Sequence, residues 1–159
     1  MLDVYSVAFF GHRWLDNTFE VEKKLKNVIR ELLEEKEYVE FLVGRNGEFD
    51  TSAASCVRMV KKEFRNDNSS LVLVLPYMTA EFQKNEKNYY TYYDEVELCY
   101  ESSQAHFKSA IGIRNKKIAE RADCVVCYIE RESGGAYAAV KYAEGLGKKV
   151  INLSGCDRE

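Results

Sequence analysis

VYSVAFFGHR, residues 4–13, is the stretch that decides the predicted fold. Its first part, residues 4–10, is a largely apolar run rich in β-branched and aromatic side chains. Such a run is typical of a strand buried on both faces of a parallel sheet. Gly11 ends this strand, and the chain continues through His12 and Arg13 into a loop. Loops that follow the strands of an open α/β sheet lie together at one edge, where ligands bind.

The rest of the chain alternates between apolar runs and helical patterns. Further strands are predicted by the apolar runs at residues 39–43, 71–75, 124–129 and 149–153. Helices are predicted, from apolar side chains at helical spacing, over residues 16–37, 51–64, 107–122 and 135–146. The order predicts an α/β fold in a single domain over residues 1–159. We expect a Rossmann-like, open, mostly parallel sheet with helices on both faces.

The tyrosine-rich segment, residues 77–100, has no clear period and predicts a long loop with a short helix near Phe82. Its tyrosines either pack this segment onto the surface or a subunit interface, or stack on a base. Packing is the favoured interpretation. Asp16 or Asn17 is the predicted cap of the first helix.

Composition and charge restrict the classes of function. The chain has 159 residues, of which 46% are hydrophobic and 31% are charged, as in ordinary globular proteins. Its net charge of −3 means that a polyanion such as DNA would need a local basic patch. Neither a membrane-length apolar run of about 18 residues nor a signal-peptide pattern is found, so we predict a cytoplasmic protein without membrane partners.

The cysteine pattern argues against a metal centre. The cysteines are Cys56, Cys99, Cys124, Cys127 and Cys156. Cys124 and Cys127 match CxxC but lie in a predicted strand, where residues i and i+3 point to opposite faces. We therefore predict buried free thiols, no metal site and no cofactor.

The first two loops that follow strands have residues suited to a phosphate. In the first, the Arg13 guanidinium suits a phosphate and His12 titrates near neutrality, although Gly11 could simply form a turn. The second loop is GRNGEFD, in which the candidate residues are Gly44, Asn46, Gly47 and Asp50. Asp50 either caps the next helix or accepts a hydrogen bond from a ribose hydroxyl.

The third loop is the strongest anion candidate. Ser133, Gly134 and Gly135 combine a hydroxyl, unhindered backbone N–H groups and a helix start, and the alternative is a simple Ser/Gly cap. Arg114 and Asn115 belong to a charged helical stretch that precedes a strand. They either lie on a solvated face or reach the same ligand.

These motifs together resemble the SLOG superfamily, most closely its YpsA-like bacterial branch. The resemblance rests on FGHR at residue 10, GRNGEFD at residue 44, RN at residue 114 and SGGAYAAVKYA at residue 133, and it covers nearly the whole chain. It implies a Rossmann-like fold shared with the Lonely-Guy phosphoribohydrolases and the DNA-processing proteins of bacterial transformation. It also implies a nucleotide pocket at the carboxyl edge of the strands, with Ser133, Gly134 and Gly135 on the phosphate, and a homo-oligomer, usually a dimer.

One departure from the Lonely-Guy pattern bears on mechanism. Those enzymes have a PGGxGTxxE motif whose glutamate stabilises the positively charged sugar of the transition state. In this chain Lys141 takes the glutamate position, and Glu144 lies one helical turn further on. A lysine cannot stabilise that cation, so the resemblance favours binding over hydrolysis.

Three functions compete at this point. The favoured one is a sensor-type domain that binds a nucleotide or nucleotide derivative. The second is a nucleotide N-glycosidic or phosphate hydrolase with Asp50, Glu48 or Glu132 as its carboxylate. The third is a single-stranded nucleic-acid binder, which the net acidity disfavours.

Overall fold

The computed structural model describes residues 2–155 and contains one sheet of six parallel strands. The strands are β1 (Val4–Gly11), β2 (Tyr38–Val43), β3 (Ser69–Leu75), β4 (Glu95–Leu98), β5 (Cys124–Tyr128) and β6 (Lys149–Asn152). Their order across the sheet is β4-β3-β2-β1-β5-β6. The predicted α/β, Rossmann-like sheet is therefore confirmed, with every observed pairing parallel.

The helices cover both faces of the sheet, as predicted. They are α1 (Thr18–Glu35), α2 (Glu48–Glu63), α3 (Ala80–Lys84), α4 (Glu86–Tyr92), α5 (Tyr100–Ser103), α6 (Phe107–Arg121) and α7 (Gly135–Gly145). Apolar residues of α1 to α4 pack on one face, and those of α6 and α7 pack on the other. None of the helices in the described part of the chain is long and apolar enough to cross a bilayer.

The position of β1 creates a crevice. β1 pairs with β2 on one side and with β5 on the other. The chain leaves β1 toward α1 on one face and leaves β5 toward α7 on the opposite face. Loops that part in this way leave a crevice at the carboxyl ends of the two strands, which is where α/β folds bind ligands.

The tyrosine-rich segment is the main correction to the predicted elements. The predicted helix near Phe82 is present as α3. The prediction of a long loop is wrong, because the helix α4 and the strand β4 follow α3. β4 is a short edge strand with no buried residue, so it lacks the continuous apolar run that marks the other strands. Tyr89 and Tyr93 are buried against the core, in line with the packing interpretation.

Two predicted helix caps differ from the structure in their hydrogen bonds or position. Asn17 occupies the N-cap position of α1 without a side-chain cap hydrogen bond, and its Nδ2 instead donates to the Tyr128 hydroxyl at 3.1 Å. Helix α2 begins at Glu48, earlier than predicted, and Gly47 is its N-cap. Asp50 therefore lies in the first turn of α2, where its carboxylate accepts the Asn46 backbone N–H at 2.9 Å.

The CxxC prediction is confirmed within the described residues. Cys124 packs on the face covered by α1 and α2, and Cys127 on the face covered by α6 and α7. Cys56, Cys99, Cys124 and Cys127 are buried free thiols, and Cys156 lies outside the described residues.

Gly11 is needed for packing at the end of β1. A Cβ atom at this position would lie 2.2 Å from Cγ of Phe49, whose side chain is fully buried. The space that a side chain would occupy at Gly11 is therefore taken by the Phe49 ring, which anchors α2 against β1.

We predict that Gly11→Ala lowers the free energy of unfolding by about 1–3 kcal/mol, because overpacking displaces a core ring. Urea denaturation measures this change. Gly112→Ala is the matched control, since a Cβ there meets nothing within 4 Å in the middle of α6. We expect the control to be neutral or stabilising by up to about 1 kcal/mol. Equal stability of the Gly11→Ala variant and the wild type would contradict this packing role.

Candidate functional site

A cavity of about 280 Å³ lies in the crevice between β1 and β5. The loops after β1, β2 and β5, together with α6 and the start of α7, form its walls. The sequence-predicted residues that line it are Gly11, His12, Arg13, Gly44, Asn46, Asp50, Arg114, Asn115, Ser133, Gly134 and Gly135. Gly47 is the exception and lines a neighbouring groove. The fold thus brings three loops and parts of α2, α6 and α7, distant in sequence, to one place.

Arg114 is the most buried charged residue of this cavity, with 2% of its surface exposed. Its Nη1 donates to the Val74 carbonyl at 2.8 Å, and its Nη2 donates to Asn46 Oδ1 at 2.6 Å. Its Nε donates to Asn115 Oδ1 at 3.0 Å. All of these acceptors are neutral, so they orient the guanidinium without cancelling its charge.

Gly44 gives Arg114 the room to lie against the end of β2. A Cβ atom at Gly44 would be 3.0 Å from Arg114 Nη2, tighter than ordinary contact. The absence of a side chain at Gly44 is therefore explained by the close approach of the Arg114 guanidinium. Gly44 also lines the cavity, and its contact with a ligand stays a prediction.

Asp50 is the carboxylate whose charge acts on Arg114. It forms no ion pair with Arg114 in the described part of the chain. Burial raises the pKa of the Asp50 carboxyl above its usual value, and the Asn46 backbone N–H and the Arg114 charge act against this rise. Burial likewise lowers the pKa of Arg114. A buried guanidinium without a bonded counter-ion favours the binding of an anion.

The N-terminus of α7 adds a second anion-attracting group to the cavity. Its N-cap, Gly134, has a φ of 95°, a left-handed conformation that favours glycine, and makes no side-chain cap hydrogen bond. Ser133, Gly134 and Gly135 are exposed, and a Cβ atom at either glycine would meet nothing within 4 Å. Backbone N–H groups at the start of this helix are therefore accessible from the cavity.

His12 connects the first loop to the third. Its side chain is 5% exposed, and Nε2 accepts the backbone N–H of Glu130 at 2.8 Å and of Arg131 at 3.4 Å. An accepting Nε2 belongs to the neutral imidazole protonated at Nδ1. Burial lowers the pKa of His12, and the Arg131 charge adds to this effect. His12 thus lines the cavity while one of its nitrogens is used to hold the loop after β5.

Arg131 is a functional candidate that the sequence prediction left out. It is exposed and lines the cavity together with Arg13, so the loop after β1 and the loop after β5 each contribute an arginine to the crevice. Its place two residues before Ser133 was an available signal. Ile111 and Ile118 of α6 also line the cavity and could not be singled out, because apolar helix residues usually mark the core.

Of the three carboxylates considered for the hydrolase alternative, one lines the cavity. Asp50 lines it, whereas Glu48 and Glu132 do not. Lys141 and Glu144 form an exposed ion pair of 3.2 Å on α7, and neither lines the cavity. Across residues 2–155, no group of three or more His, Cys, Asp or Glu side chains is arranged to hold a metal ion.

The neutral state of His12 predicts a pH dependence of stability. The unfolded-state pKa of histidine is about 6.5 and the folded-state pKa of His12 is lower, so the unfolded chain binds this proton more tightly. The contribution of His12 is then complete above about pH 6.5 and is lost progressively as the pH falls below it. Urea denaturation at about pH 7.5 and 5.5 measures this loss of stability.

His12→Gln provides the comparison, because its amide oxygen accepts the same N–H groups without titrating. We expect the variant to lose less stability than the wild type between the two pH values. His106→Asn is the control at the exposed N-cap of α6, which asparagine also suits. An identical pH dependence in wild type and His12→Gln would contradict the assigned role.

Comparison with known proteins connects this fold to DNA processing protein A. No family model and no curated protein matches the chain. The DNA processing protein A from Streptococcus pneumoniae is similar in structure, with a TM-score of 0.66 and 16% identity over 92% of this chain and 49% of that one. The protein from Helicobacter pylori, solved to explain a unique single-stranded DNA binding mode, has a TM-score of 0.64 and 13% identity over 92% of this chain and 63% of that one.

The chain therefore spans about half of the length of the first protein and somewhat more of the second. At these identities the likeness concerns the fold. It agrees with the Rossmann-like fold that the resemblance implies, and the YpsA-like branch stays a prediction. The chain thus has the Rossmann-like fold found in DNA processing protein A.

Proposed function

We propose that this chain binds a nucleotide or nucleotide derivative, with a phosphate in the cavity between β1 and β5. The observation that carries the proposal is the buried Arg114 guanidinium, whose hydrogen-bond acceptors are all neutral. A charge held in this way, inside a cavity that also contains the uncapped start of α7, favours an anionic ligand. The assignment to the YpsA-like branch is part of this proposal.

The surrounding groups suit a phosphate in particular. The backbone N–H groups of Gly134 and Gly135 and the Ser133 hydroxyl supply donors at the helix start. Arg13 and Arg131 supply exposed guanidinium groups on the two opposite loops. Asp50 is the lining carboxylate, and burial raises the pKa of its carboxyl above the usual value.

The size of the cavity favours a small part of a ligand. Its volume of about 280 Å³ is at the lower end of the roughly 300–1,000 Å³ found for small-molecule sites. A phosphate and its sugar fit this scale, with the remainder of the ligand lying outside. Binding without turnover is the activity we propose, since Lys141 stands where a Lonely-Guy enzyme has its glutamate.

Single-stranded DNA is the second candidate ligand. It is favoured by the similarity of the fold to the Helicobacter pylori protein, which binds single-stranded DNA. The net charge of −3 argues for few phosphate contacts in such a complex. A homodimer is proposed from the superfamily resemblance alone.

A thermal-shift screen tests the proposal. The panel contains nucleoside mono- and diphosphates, NAD, ADP-ribose, cyclic dinucleotides and an oligothymidylate of about ten nucleotides. A ligand at about 100 times its Kd stabilises by about 2.7 kcal/mol, which shifts Tm by several degrees. A hit restricted to the oligonucleotide, with affinity that falls steeply with salt, would favour the second candidate. A blank across the panel would overturn the proposal.

We predict that Gly135→Leu abolishes the ligand-induced shift and leaves the Tm of the free protein nearly unchanged. The new side chain has open space at the helix start and covers the N–H groups that we assign to the phosphate. Gly112→Leu is the matched control, because a Cβ there is equally unobstructed and Gly112 does not line the cavity. Full ligand binding by Gly135→Leu would place the phosphate elsewhere.

A further inference from the structure

Trp14 is unusually exposed for a tryptophan. It is the single tryptophan of the chain, and 69% of its surface is accessible. Tryptophan is among the most buried residue types on average. This one directly follows Arg13, which lines the phosphate cavity.

Trp14 lines a groove that shares two lining residues with that cavity. We call this the Trp14 groove, and its walls include Arg13, Trp14, Thr18, Asn46 and Thr51. Arg13 and Asn46 also line the cavity between β1 and β5, so the two concavities are neighbours. The Trp14 groove is therefore next to the place that we assign to the phosphate.

The backbone on both sides of Trp14 is fixed by α2. The Glu48 backbone N–H donates to the Arg13 carbonyl at 2.8 Å, and the Leu15 N–H donates to Glu48 Oε1 at 2.6 Å. Gly47 packs so closely that a Cβ atom there would lie 2.6 Å from Arg13 Cα. With the backbone fixed, stacking of a ligand on Trp14 orders only the two side-chain torsions of the indole, which keeps the entropic cost of binding small.

The charges of the groove favour an uncharged part of the ligand. Glu22 and Glu48 line it, with Arg13 at the border to the cavity. A second phosphate would be repelled by these carboxylates, whereas a nucleobase is neutral and offers amino groups to them. The indole supplies the apolar face on which any base can stack.

We infer that Trp14 stacks on the nucleobase of the nucleotide whose phosphate occupies the cavity between β1 and β5. This inference rests on the proposed function and adds the base subsite to it. Arg13 lies between the two subsites, next to the phosphate and adjacent in sequence to the stacking side chain. The same base could belong to a free nucleotide or to a single strand, and the probes below distinguish these sources.

Paired probes that differ only in the base test the inference. Adenosine 5′-monophosphate is compared with ribose 5-phosphate, and an oligothymidylate of about ten nucleotides is compared with an abasic strand of the same length. Because Trp14 is the only tryptophan, its fluorescence reports directly on this site. We expect quenching by the member of a pair that has bases and little change with its base-free partner.

We predict that Trp14→Ala weakens binding of the base-containing probe by about 5- to 150-fold, the range of one base–aromatic stack. Binding of the base-free probe is expected to stay unchanged, which a loss of folding would not produce. Trp14→Phe restores most of the affinity because it keeps an aromatic face. Calorimetric titration measures these affinities without relying on the tryptophan signal.

Phe19→Ala is the matched control, since Phe19 is also an exposed aromatic side chain and does not line the Trp14 groove. We expect it to leave the affinity of every probe unchanged. If Trp14→Ala binds the base-containing probe as tightly as the wild type does, the base subsite is refuted and the phosphate site stands. If the wild type binds no member of either pair, both proposals fail.

Discussion

The Arg114 guanidinium is the group on which the arrangement of the cavity depends. A buried guanidinium is costly unless its donors are satisfied, and here Val74, Asn46 and Asn115 each accept one of its hydrogen bonds. These bonds connect α6 to the end of β3 and to the loop after β2. Gly44 leaves the space for this contact. The charge thus lies in the wall of the cavity, with its orientation fixed by neutral groups.

The loops around this charge are held by contacts of their own. His12 connects the loop after β1 to the loop after β5, and Glu48 connects the loop after β1 to α2. Arg45, beside Asn46, donates to the Tyr93 hydroxyl at 2.9 Å and lies over the Tyr89 ring at 4.8 Å. The tyrosine-rich segment therefore supports the second loop from the side away from the cavity.

The glycines of the predicted phosphate loops fall into two groups. Gly11, Gly44 and Gly47 leave room for the protein itself, since a Cβ atom at any of them would press on a neighbouring residue. Gly134 and Gly135 have open space beside them. A sequence motif does not distinguish these cases, because both require the absence of a side chain. The open pair is where a ligand can approach the backbone closely. Gly11 and Gly44 belong to the walls of the cavity, and Gly47 lines the neighbouring groove.

The sequence by itself determined the alternation of buried strands and helices, the parallel sheet and the loops that line the cavity, because these follow from local hydrophobic patterns. It did not reveal β4, an edge strand whose half-exposed residues carry no apolar run. Nor did it reveal the neutral setting of Arg114 or the position of Trp14 beside the cavity. Arg114 bonds to Asn46, 68 residues away, and Glu48 bonds to Arg13 and Leu15 on either side of Trp14. Only the tertiary structure decides such contacts, because strand order and helix packing bring together segments whose sequences contain no sign of each other.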